Sequence, residues 1–574
     1  MTETPVSQQG ALDQPRPGLW LSVGALIYLS FSYTEMLGSD LWWHIAAGRE
    51  IVQAGSLWLV DDWSFTALGQ PWRNHEWLAD LIFYGWVNAF GLASLVYWKW
   101  LTIIAAFVLL QLALTRVTRS PAAALAATVL ACAIAAPFMD MRPQLYTLVG
   151  VAVLLCIALE RRPRLLELLA LFLVWANLHG GFVFGLMLLA VLSFPWRALH
   201  LGTLRNWAPR LGVCCAICLV NPDGLQVFLL PLTYALDSSS PYRGLGEWIS
   251  PFVDGGIRSP LYPYTLVIAA GLAAFWVLPG VRRKVRFSPE ALGFALLTAA
   301  MSATSRRFII LWAFAFALLV APFIAAVLRG ALAAIAPRWL AVCLLLVAAV
   351  FGVYRQHPYP LRANVAFHYL TAEYAYPHAL ADFLQLNKLQ GKTFAYYNWG
   401  GFLHWRTDGA IKVFIDGRAN TVFDDQTYRD YVAVLGFRPG WLERVENSGA
   451  QIVIWPHSRG GERMARGLQQ TRRWRRLYED VRGVVLARDT LALPPTLRLP
   501  RDTVESALAK GFVAARAGDL DAALVAAKTA LAEQPWHQGA CTAAKRALIR
   551  LDRKSEAAEV VKACRTWFPS RYLR

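Results

Sequence analysis

Charged residues are scarce in this chain. Of its 574 residues, only 16% are charged and 56% are hydrophobic. Soluble domains carry roughly 25% charged residues, so the composition excludes an ordinary soluble protein. The formal net charge of +18 would suggest a nucleic-acid partner for a soluble chain, but in a membrane protein the basic residues first indicate which side of the bilayer each loop occupies. We therefore expect no nucleic-acid partner.

Motifs for nucleotides and structural metals are also missing. The sequence has no GxGxxG and no P-loop, and its one CxxC, Cys215 to Cys218, lies inside an apolar run without a second Cys/His pair. Most cysteines lie in apolar segments, where they behave as small apolar residues; Cys541 and Cys564 do not, and whether they form a disulfide is left open. The first apolar run has no strongly basic segment before it and no small-residue cleavage site, so it is predicted to be a retained anchor.

Apolar runs, by contrast, are long and frequent. Each approaches the roughly 17–25 residues that a helix needs to cross a bilayer, which predicts a polytopic α-helical membrane protein with about eleven spans. The predicted spans lie near residues 19–37, 92–115, 121–138, 143–160, 165–178, 181–196, 209–222, 263–280, 289–304, 308–328 and 338–355.

Basic residues are distributed unevenly between the predicted loops. With a cytoplasmic N-terminus, the short outside loops contain only Arg142, Arg306 and Arg307. Basic residues favour cytoplasmic loops, so this orientation is predicted, and an odd number of spans places the chain after residue 356 outside. The inside loops hold Arg116, Arg119, Arg161, Arg162, Arg164, Arg197, Arg205, Arg210, Arg282, Arg283, Lys284, Arg286, Arg329 and Arg338.

Three further parts follow the predicted membrane domain of residues 1–356, whose first external loop spans 38–91. An extracytoplasmic α/β domain is predicted for residues 357–490, because strand-like stretches alternate with helical ones there. A Pro-rich linker, 491–502, leads to a helical segment, 503–574. The strand-like stretches are 392–399, 412–417, 450–456 and 483–488.

The helical segment contains a repeat with a period of 34 residues, in which Ala523, Ala530 and Pro535 recur as Ala557, Cys564 and Pro569. The pattern resembles tetratricopeptide helix-turn-helix repeats, whose small residues let paired helices approach. Two copies are fewer than a free-standing solenoid needs. We therefore expect them to pack on the α/β domain or on a protein partner.

The first external loop contains most of the candidate chemistry. Carboxylates and imidazoles lie there among tryptophans, an arrangement that suits acid–base catalysis, a divalent metal such as Mg²⁺ or Mn²⁺, or both. A belt of tryptophans with solvated charges at the headgroup level is the open alternative. The acid–base candidates are Asp40, His44, His75 and Glu76, and the metal-ligand candidates are Asp40, Asp61 and Asp62.

The outside arginines Arg142, Arg306 and Arg307 run against the positive-inside trend. Guanidinium groups bind phosphate in bidentate fashion, so we predict that they hold a phosphate at the outer membrane surface; snorkelling towards lipid headgroups is the alternative. The other substrate-binding candidates are Gln144, Asn177, His179, Trp43 and Trp399.

These residues together predict a polar, aromatic-rich hollow at the outer face, with acids on one side and arginines on the other. A substrate that is part lipid, part phosphate and part sugar fits it: phosphate on arginine, sugar ring on tryptophan and acceptor hydroxyl on a carboxylate. The stretch FIDGRAN, 414–420, stays open, because Asp416 and Arg418 either face this hollow or form an ion pair at a tight turn.

Two stretches resemble a known family. Asp40, followed by LWWHIAAGREIVQAG and then DDWSF, is similar to the first external loop of GT-C fold membrane glycosyltransferases, in particular the oligosaccharyltransferase catalytic subunit. YYNWGGFLHW, 396–405, resembles that subunit's outer-domain signature but lacks its Asp, so sequon recognition is not implied. The resemblance implies a polyprenyl-phosphate-linked donor, a reaction-centre Asp matched by Asp40, and an inner-membrane protein of an uncharacterised bacterial branch beside the oligosaccharyltransferases and protein mannosyltransferases.

The predicted function is therefore transfer of a sugar from a polyprenyl-phosphate-linked donor to an extracytoplasmic glycan, lipid or protein. The alternative is a non-enzymatic scaffold for envelope assembly that binds partners through its outer domain and repeats. A transporter is disfavoured, because charged residues inside spans mark transport paths and the ionisable groups here gather in loops.

Overall fold

The chain forms two compact units in a computed structural model. The helical unit comprises Met1–Thr34 and Leu95–His357, and the α/β unit comprises Glu35–Ser94 and Pro358–Arg574. Arg161, Arg162, Arg286, Pro569 and the end of the predicted linker, 501–502, lie outside the described residues. The structure describes residues 17–34, 40–159, 163–197, 199–236, 239–254, 256, 259–285, 288–331, 337–356, 367, 376–480, 482–500 and 504–566.

The helices up to residue 356 belong to the helical unit, except for the second and third. Their bounds, in chain order, are α1 (Pro17–Phe31), α2 (Asp40–Ala54), α3 (Trp77–Phe90), α4 (Leu95–Thr118), α5 (Pro121–Ala135), α6 (Gln144–Ala158), α7 (Leu165–Leu178), α8 (Phe182–Ser193), α9 (Leu201–Ile217), α10 (Gln226–Leu236), α11 (Tyr262–Trp276), α12 (Pro279–Lys284), α13 (Pro289–Thr304), α14 (Ile309–Ala331) and α15 (Pro337–Gln356).

Local sequence sets the start of several of these helices. Ser120 and Ser288 each precede a proline, and their side chains accept hydrogen bonds from the backbone N–H groups of Ala123 (3.3 Å) and Ala291 (3.1 Å). A serine cap satisfies one of the first N–H groups, and proline in the first turn loses no helical hydrogen bond. The sequence therefore begins α5 and α13 at defined residues.

Apolar helices dominate the helical unit. Among the described residues, Leu92–Thr118, Pro121–Phe138 and Arg306–Leu328 are long and apolar enough to cross a bilayer. Every predicted span overlaps a helix, but several of these helices are shorter than a full crossing, so the number of about eleven spans stays a prediction. The shorter apolar helices are Gly18–Phe31, Gln144–Ala158, Leu165–Leu178, Phe182–Ser193, Tyr262–Trp276 and Trp339–Phe351.

The α/β unit is built on a five-stranded mixed sheet with the strand order β4-β3-β5-β7-β6. Strand β3 is parallel to β4 and β5, whereas β7 is antiparallel to β5 and β6. The strands are β1 (Leu59–Val60), β2 (Pro71–Trp72), β3 (Gly391–Ala395), β4 (Ile411–Val413), β5 (Ile452–Pro456), β6 (Trp474–Glu479) and β7 (Gly483–Arg488), of which β1 and β2 form a separate pair. The remaining helices are α16 (His378–Leu386), α17 (Gly400–Arg406), α18 (Asp425–Leu435), α19 (Trp441–Asn447), α20 (Gly461–Gln470), α21 (Val504–Ala517), α22 (Leu520–Glu533), α23 (Gln538–Arg550) and α24 (Lys554–Arg565).

Four of the five sheet strands coincide with the strand-like stretches of the sequence. The fifth, β6, has the sequence WRRLYE and is not apparent as a strand because adjacent arginines interrupt its apolar pattern. It lies at the edge of the sheet, where charged side chains such as the exposed Arg475 protect against pairing with another chain.

Residues of the first external loop extend this sheet. Ser64 forms a parallel bridge with Val413, the backbone N–H of Val413 donates to the carbonyl of Trp63 (2.9 Å), and that of Phe65 donates to the carbonyl of Val413 (3.1 Å). The loop, which the sequence analysis places within the membrane domain, therefore packs as part of the α/β unit.

The C-terminal helices form two successive pairs. The pairs begin at Val504 and Gln538 and so repeat after 34 residues, the period seen in the sequence. A disulfide joins Cys541 and Cys564, and Arg516 of α21 pairs with Glu479 of the sheet. The segment thus packs on the α/β domain, while its tetratricopeptide character stays a prediction.

Candidate active site

Three candidates from the first external loop lie near one another in the α/β unit. His44 Nδ1 is 2.6 Å from Asp80 Oδ1, and His44 Nε2 is 3.8 Å from Glu76 Oε2. His75 Nε2 lies 3.9 Å from the other oxygen of Glu76. The predicted residues His44, His75 and Glu76 therefore form one chain of ionisable groups, which Asp80 completes. Burial raises the pKa of Asp80, and a hydrogen bond from Asn74 opposes this rise.

A glycine allows the helices that carry this chain to approach. A Cβ atom on Gly48 of α2 would lie 2.1 Å from the carbonyl oxygen of Asp80 on α3, far inside van der Waals contact. Gly48 follows His44 by one turn, so both face the same neighbour. Close backbone contact at Gly48 thus brings the Asp80 carboxylate to His44.

We expect Gly48→Ala to lower the thermal unfolding midpoint of the purified protein, because the added methyl group must push α2 and α3 apart. Gly85→Ala is the matched control: Gly85 is also helical, and an added Cβ would meet no atom within 4 Å. Since alanine favours helix more than glycine does, this control should leave the midpoint unchanged or raise it. Equal midpoints for the two variants would contradict the close contact.

Asp40 begins α2 and is half-buried. A Cβ atom on Gly417 would lie 3.2 Å from its Oδ1 atom and 3.1 Å from Trp43 Nε1, and a Cβ on Gly401 would lie 2.8 Å from Trp43 Cβ. Two glycines of the α/β domain therefore approach the first turn of α2. A negative charge at this position also interacts favourably with the helix dipole.

The turn that holds Gly417 is secured by a buried ion network. Arg418 Nη2 lies 2.6 Å from Asp61 Oδ1 and 2.8 Å from Asp416 Oδ2, and the three side chains are fully buried. The guanidinium also stacks over the rings of Trp63 (4.2 Å) and Trp72 (4.8 Å). Of the two interpretations of FIDGRAN, the structure shows the ion pair, and it adds Asp61 as a second anion.

Burial and charge set the protonation of this network. Burial opposes the charge of Arg418, but Asp416 and Asp61 outweigh it, and the net effect raises the pKa of Arg418. Beside it, His404 Nε2 lies 2.6 Å from Glu50 Oε1. Burial, together with the charge of Arg418, lowers the pKa of His404 to about 3, and burial raises the pKa of Glu50. Both shifts favour the uncharged forms of His404 and Glu50.

The predicted phosphate-binding arginines lie close together in the helical unit. Arg142 Nη1 is 2.5 Å from Glu247 Oε2, and Arg307 Nη1 is 3.6 Å from Glu247 Oε1. Arg307 also stacks over the ring of Trp248 at 4.2 Å, and the backbone N–H of Arg306 donates to the carbonyl of Ile249 (3.1 Å). The Arg142 and Arg307 side chains remain 22% and 23% exposed, so these two members of the arginine cluster are accessible to a ligand. Arg306 is buried, and its guanidinium donates to the carbonyl of Gly256.

The remaining candidates have local partners. Gln144 donates to the carbonyl of Phe138 (3.1 Å). Asn177 donates to the carbonyls of Leu173 (2.8 Å) and Val220 (2.9 Å). His179 Nδ1 lies 2.7 Å from Thr147 Oγ1. These contacts join turns to helices in the helical unit. In the α/β unit, Trp43 and Trp399 are buried, with Trp43 against the ring of His44 and Trp399 edge-on to Tyr396.

Several residues that make these contacts are not indicated by any motif in the sequence. Glu247 lies in a stretch without a motif, and Glu50 and His404 are far apart in the chain. The expected convergence of Asp40 with the arginine cluster stays a prediction, because they belong to different compact units.

Comparisons with known proteins find likenesses of fold to solved structures. The chain is similar to the archaeal oligosaccharyltransferase AglB from Archaeoglobus fulgidus, in complex with an inhibitory peptide and a dolichol-phosphate, at 12% identity and a TM-score of 0.49, covering 83% of this chain and 74% of that one. It is also similar to apo ArnT from Cupriavidus metallidurans at 14% identity and a TM-score of 0.46, covering 83% and 98%. No protein-family model and no curated protein matches the chain.

Proposed function

We propose that this protein is a membrane glycosyltransferase that moves a sugar from a polyprenyl-phosphate-linked donor to an extracytoplasmic acceptor. The observation that carries the proposal is the arginine cluster. Arg142 and Arg307 are distant in sequence but share the carboxylate of Glu247, and Arg306 lies beside them. Two guanidinium groups on one carboxylate leave an excess of positive charge, and guanidinium is well matched to phosphate.

The reaction follows from the chemistry of such a donor. An oxygen of the acceptor hydroxyl attacks the anomeric carbon of the sugar, the bond from that carbon to the phosphate oxygen breaks, and polyprenyl phosphate leaves. Asp40 takes the hydroxyl proton as general base, assisted by His44, His75 and Glu76. The arginines stabilise the charge that develops on the leaving phosphate. The substrate path is proposed to be lined by Asn177, His179, Gln144, Trp43 and Trp399.

A divalent metal on Asp40, Asp61 and Asp62 does not fit the contacts. Asp61 pairs with the buried cation Arg418, and Asp62 lies 3.6 Å from Lys412 Nζ. A second cation beside Arg418 would be repelled. Among the described residues, no group of three or more His, Cys, Asp or Glu side chains could hold a metal ion. We therefore route no step of the reaction through a metal.

The disulfide supports the proposed orientation. Disulfides persist in oxidising compartments and are rare in the cytosol, so the bond between Cys541 and Cys564 suits a segment outside the cytoplasm. We accordingly propose a bacterial inner-membrane protein with a cytoplasmic N-terminus and extracytoplasmic C-terminal domains.

The C-terminal helices favour one additional role. Helical repeats commonly bind proteins, and this segment exposes Val513 and Val525, 61% and 65% accessible, on neighbouring helices. We propose that it recruits an envelope protein to the enzyme.

A scaffold without enzymatic activity remains the alternative function. This alternative predicts that binding of polyprenyl phosphate does not depend on the arginine cluster.

The arginine cluster is tested by direct binding. We expect the double variant Arg142→Gln/Arg307→Gln to weaken binding of a fluorescent polyprenyl phosphate by roughly 10²-fold, since each hydrogen bond to a charged group contributes about 1.5–3 kcal/mol. The protein is titrated in detergent micelles. Arg282→Gln is the matched control, because Arg282 also stacks on a tryptophan, Trp276 at 4.8 Å, but lies in a predicted inside loop. Wild-type affinity in the double variant would overturn the proposal.

A further inference from the structure

The chain of ionisable groups around His44 runs from the interior towards the surface. Asp80 is fully buried, His44 is 1% exposed and Glu76 is 8% exposed. The side chain of His75, beside Glu76, is 21% exposed. An imidazole thus lies between two carboxylates, of which the inner one has no access to solvent.

The inner carboxylate is held on both of its oxygens. His44 Nδ1 lies 2.6 Å from Asp80 Oδ1, and the Asn74 side-chain amide donates to Asp80 Oδ2 at 2.8 Å. Asn74 also accepts a hydrogen bond from the backbone N–H of Glu76 (3.2 Å). Asn74 therefore contacts both Asp80 and the backbone of Glu76 within one short turn. These contacts fix the orientation of the Asp80 side chain before any ligand binds.

A carboxylate on Nδ1 determines which imidazole nitrogen carries the proton. Burial raises the pKa of Asp80, and the hydrogen bond that its Oδ2 accepts from Asn74 opposes this rise. In its ionised form Asp80 accepts from Nδ1–H of His44, and the lone pair then lies on Nε2, which faces Glu76 at 3.8 Å. The ring of Trp43, with its centroid 3.6 Å from that of His44, limits rotation of the imidazole. Both the tautomer and the ring plane of His44 are thus set by its neighbours.

We infer that Asp80 is a positioning residue that holds His44 in the Nδ1–H tautomer with Nε2 directed to Glu76. The effect of this arrangement on sugar transfer rests on the proposed function. In the transfer reaction the acceptor hydroxyl loses one proton, and His44 follows Asp40 by four residues on α2, on the same helix face. Asp40 remains the base that takes this proton from the hydroxyl, and an imidazole with an unprotonated Nε2 assists by receiving the proton from Asp40. The resulting cation lies between Asp80 and Glu76.

The kinetic test is Asp80→Asn. An amide keeps the size of the side chain but loses the negative charge that selects the tautomer, so we expect kcat for sugar transfer to fall by on the order of 10²-fold with KM for the acceptor unchanged. Asp80→Glu should recover part of kcat, because it restores the charge. Asp430→Asn, which changes an acid of the same unit paired with Arg444, is the control and should leave kcat as it is. Full kcat in folded Asp80→Asn would overturn the inference.

A second measurement does not depend on activity. In protein labelled with ¹⁵N-histidine, the imidazole signals of His44 are those lost in His44→Gln. We expect the wild type to show a protonated Nδ1 and an unprotonated Nε2, and Asp80→Asn to show a mixture or the reverse. A wild-type Nε2–H tautomer would overturn the role of Asp80, whether or not the protein transfers sugar. Absence of transfer by a wild type with the expected tautomer would instead count against the proposed function alone.

Discussion

Asp40→Asn is expected to lower the rate of sugar transfer by about 10³-fold, within the range that general-base catalysis supplies, while the amount of folded protein in the membrane stays at the wild-type level. Asparagine has nearly the same shape as aspartate but no negative charge and no basic oxygen. Asp40 is half-buried at the start of α2 and adjoins Gly417, so an isosteric change should disturb the packing little. Loss of the proton acceptor is then the main consequence.

The rate is measured as transfer of labelled sugar from a polyprenyl-phosphate-linked donor by purified protein in micelles. Asp425→Asn is the matched control, because Asp425 is also the first residue of a helix, α18, and is half-buried and paired with Arg429. The control should transfer sugar at the wild-type rate. An Asp40→Asn protein of full activity would remove Asp40 from the reaction.

Much of the fold is readable from the sequence because it depends on local patterns. Each predicted span overlaps a helix, since a long apolar run permits little else in a membrane. The parallel strands β3, β4 and β5 are short apolar stretches bounded by turns, and the spacing of the C-terminal helices follows from small residues repeated after 34 positions. Strand β6 is missed because an exposed edge tolerates arginines that obscure an apolar pattern.

The candidate site is readable only in part, because its pairings join residues distant in the chain. The grouping of His44 with His75 and Glu76 was expected from one loop, whereas the partnership of Asp61 with Arg418 spans most of the sequence. Composition suggests a metal for Asp61, and only the fold shows a guanidinium at that carboxylate. Likewise, the sequence predicts Arg142, Arg306 and Arg307 as one phosphate-binding group, but the acid between Arg142 and Arg307, Glu247, lies in a loop without a motif.

Arg418→Met is expected to lower the free energy of unfolding of the α/β unit by about 3–5 kcal/mol, the usual cost of removing one partner from a buried ion pair. Asp61 and Asp416 would then be two buried carboxylates without their cation, and the rings of Trp63 and Trp72 would lose the guanidinium stacked on them. Urea unfolding of the full chain in detergent, followed by tryptophan fluorescence, measures the change because these two tryptophans adjoin the altered side chain.

Two further variants separate the loss of charge pairing from the loss of packing. Arg429→Met removes an exposed cation from a pair with Asp425, and it should change the free energy of unfolding by less than about 0.5 kcal/mol. The triple variant Arg418→Met/Asp61→Asn/Asp416→Asn removes all three charges. It should be more stable than Arg418→Met alone, because it no longer buries unpaired carboxylates at a cost in free energy. If the triple variant is instead no more stable than Arg418→Met, the arginine contributes through its shape and stacking, and the ion network does not hold the turn beside Asp40.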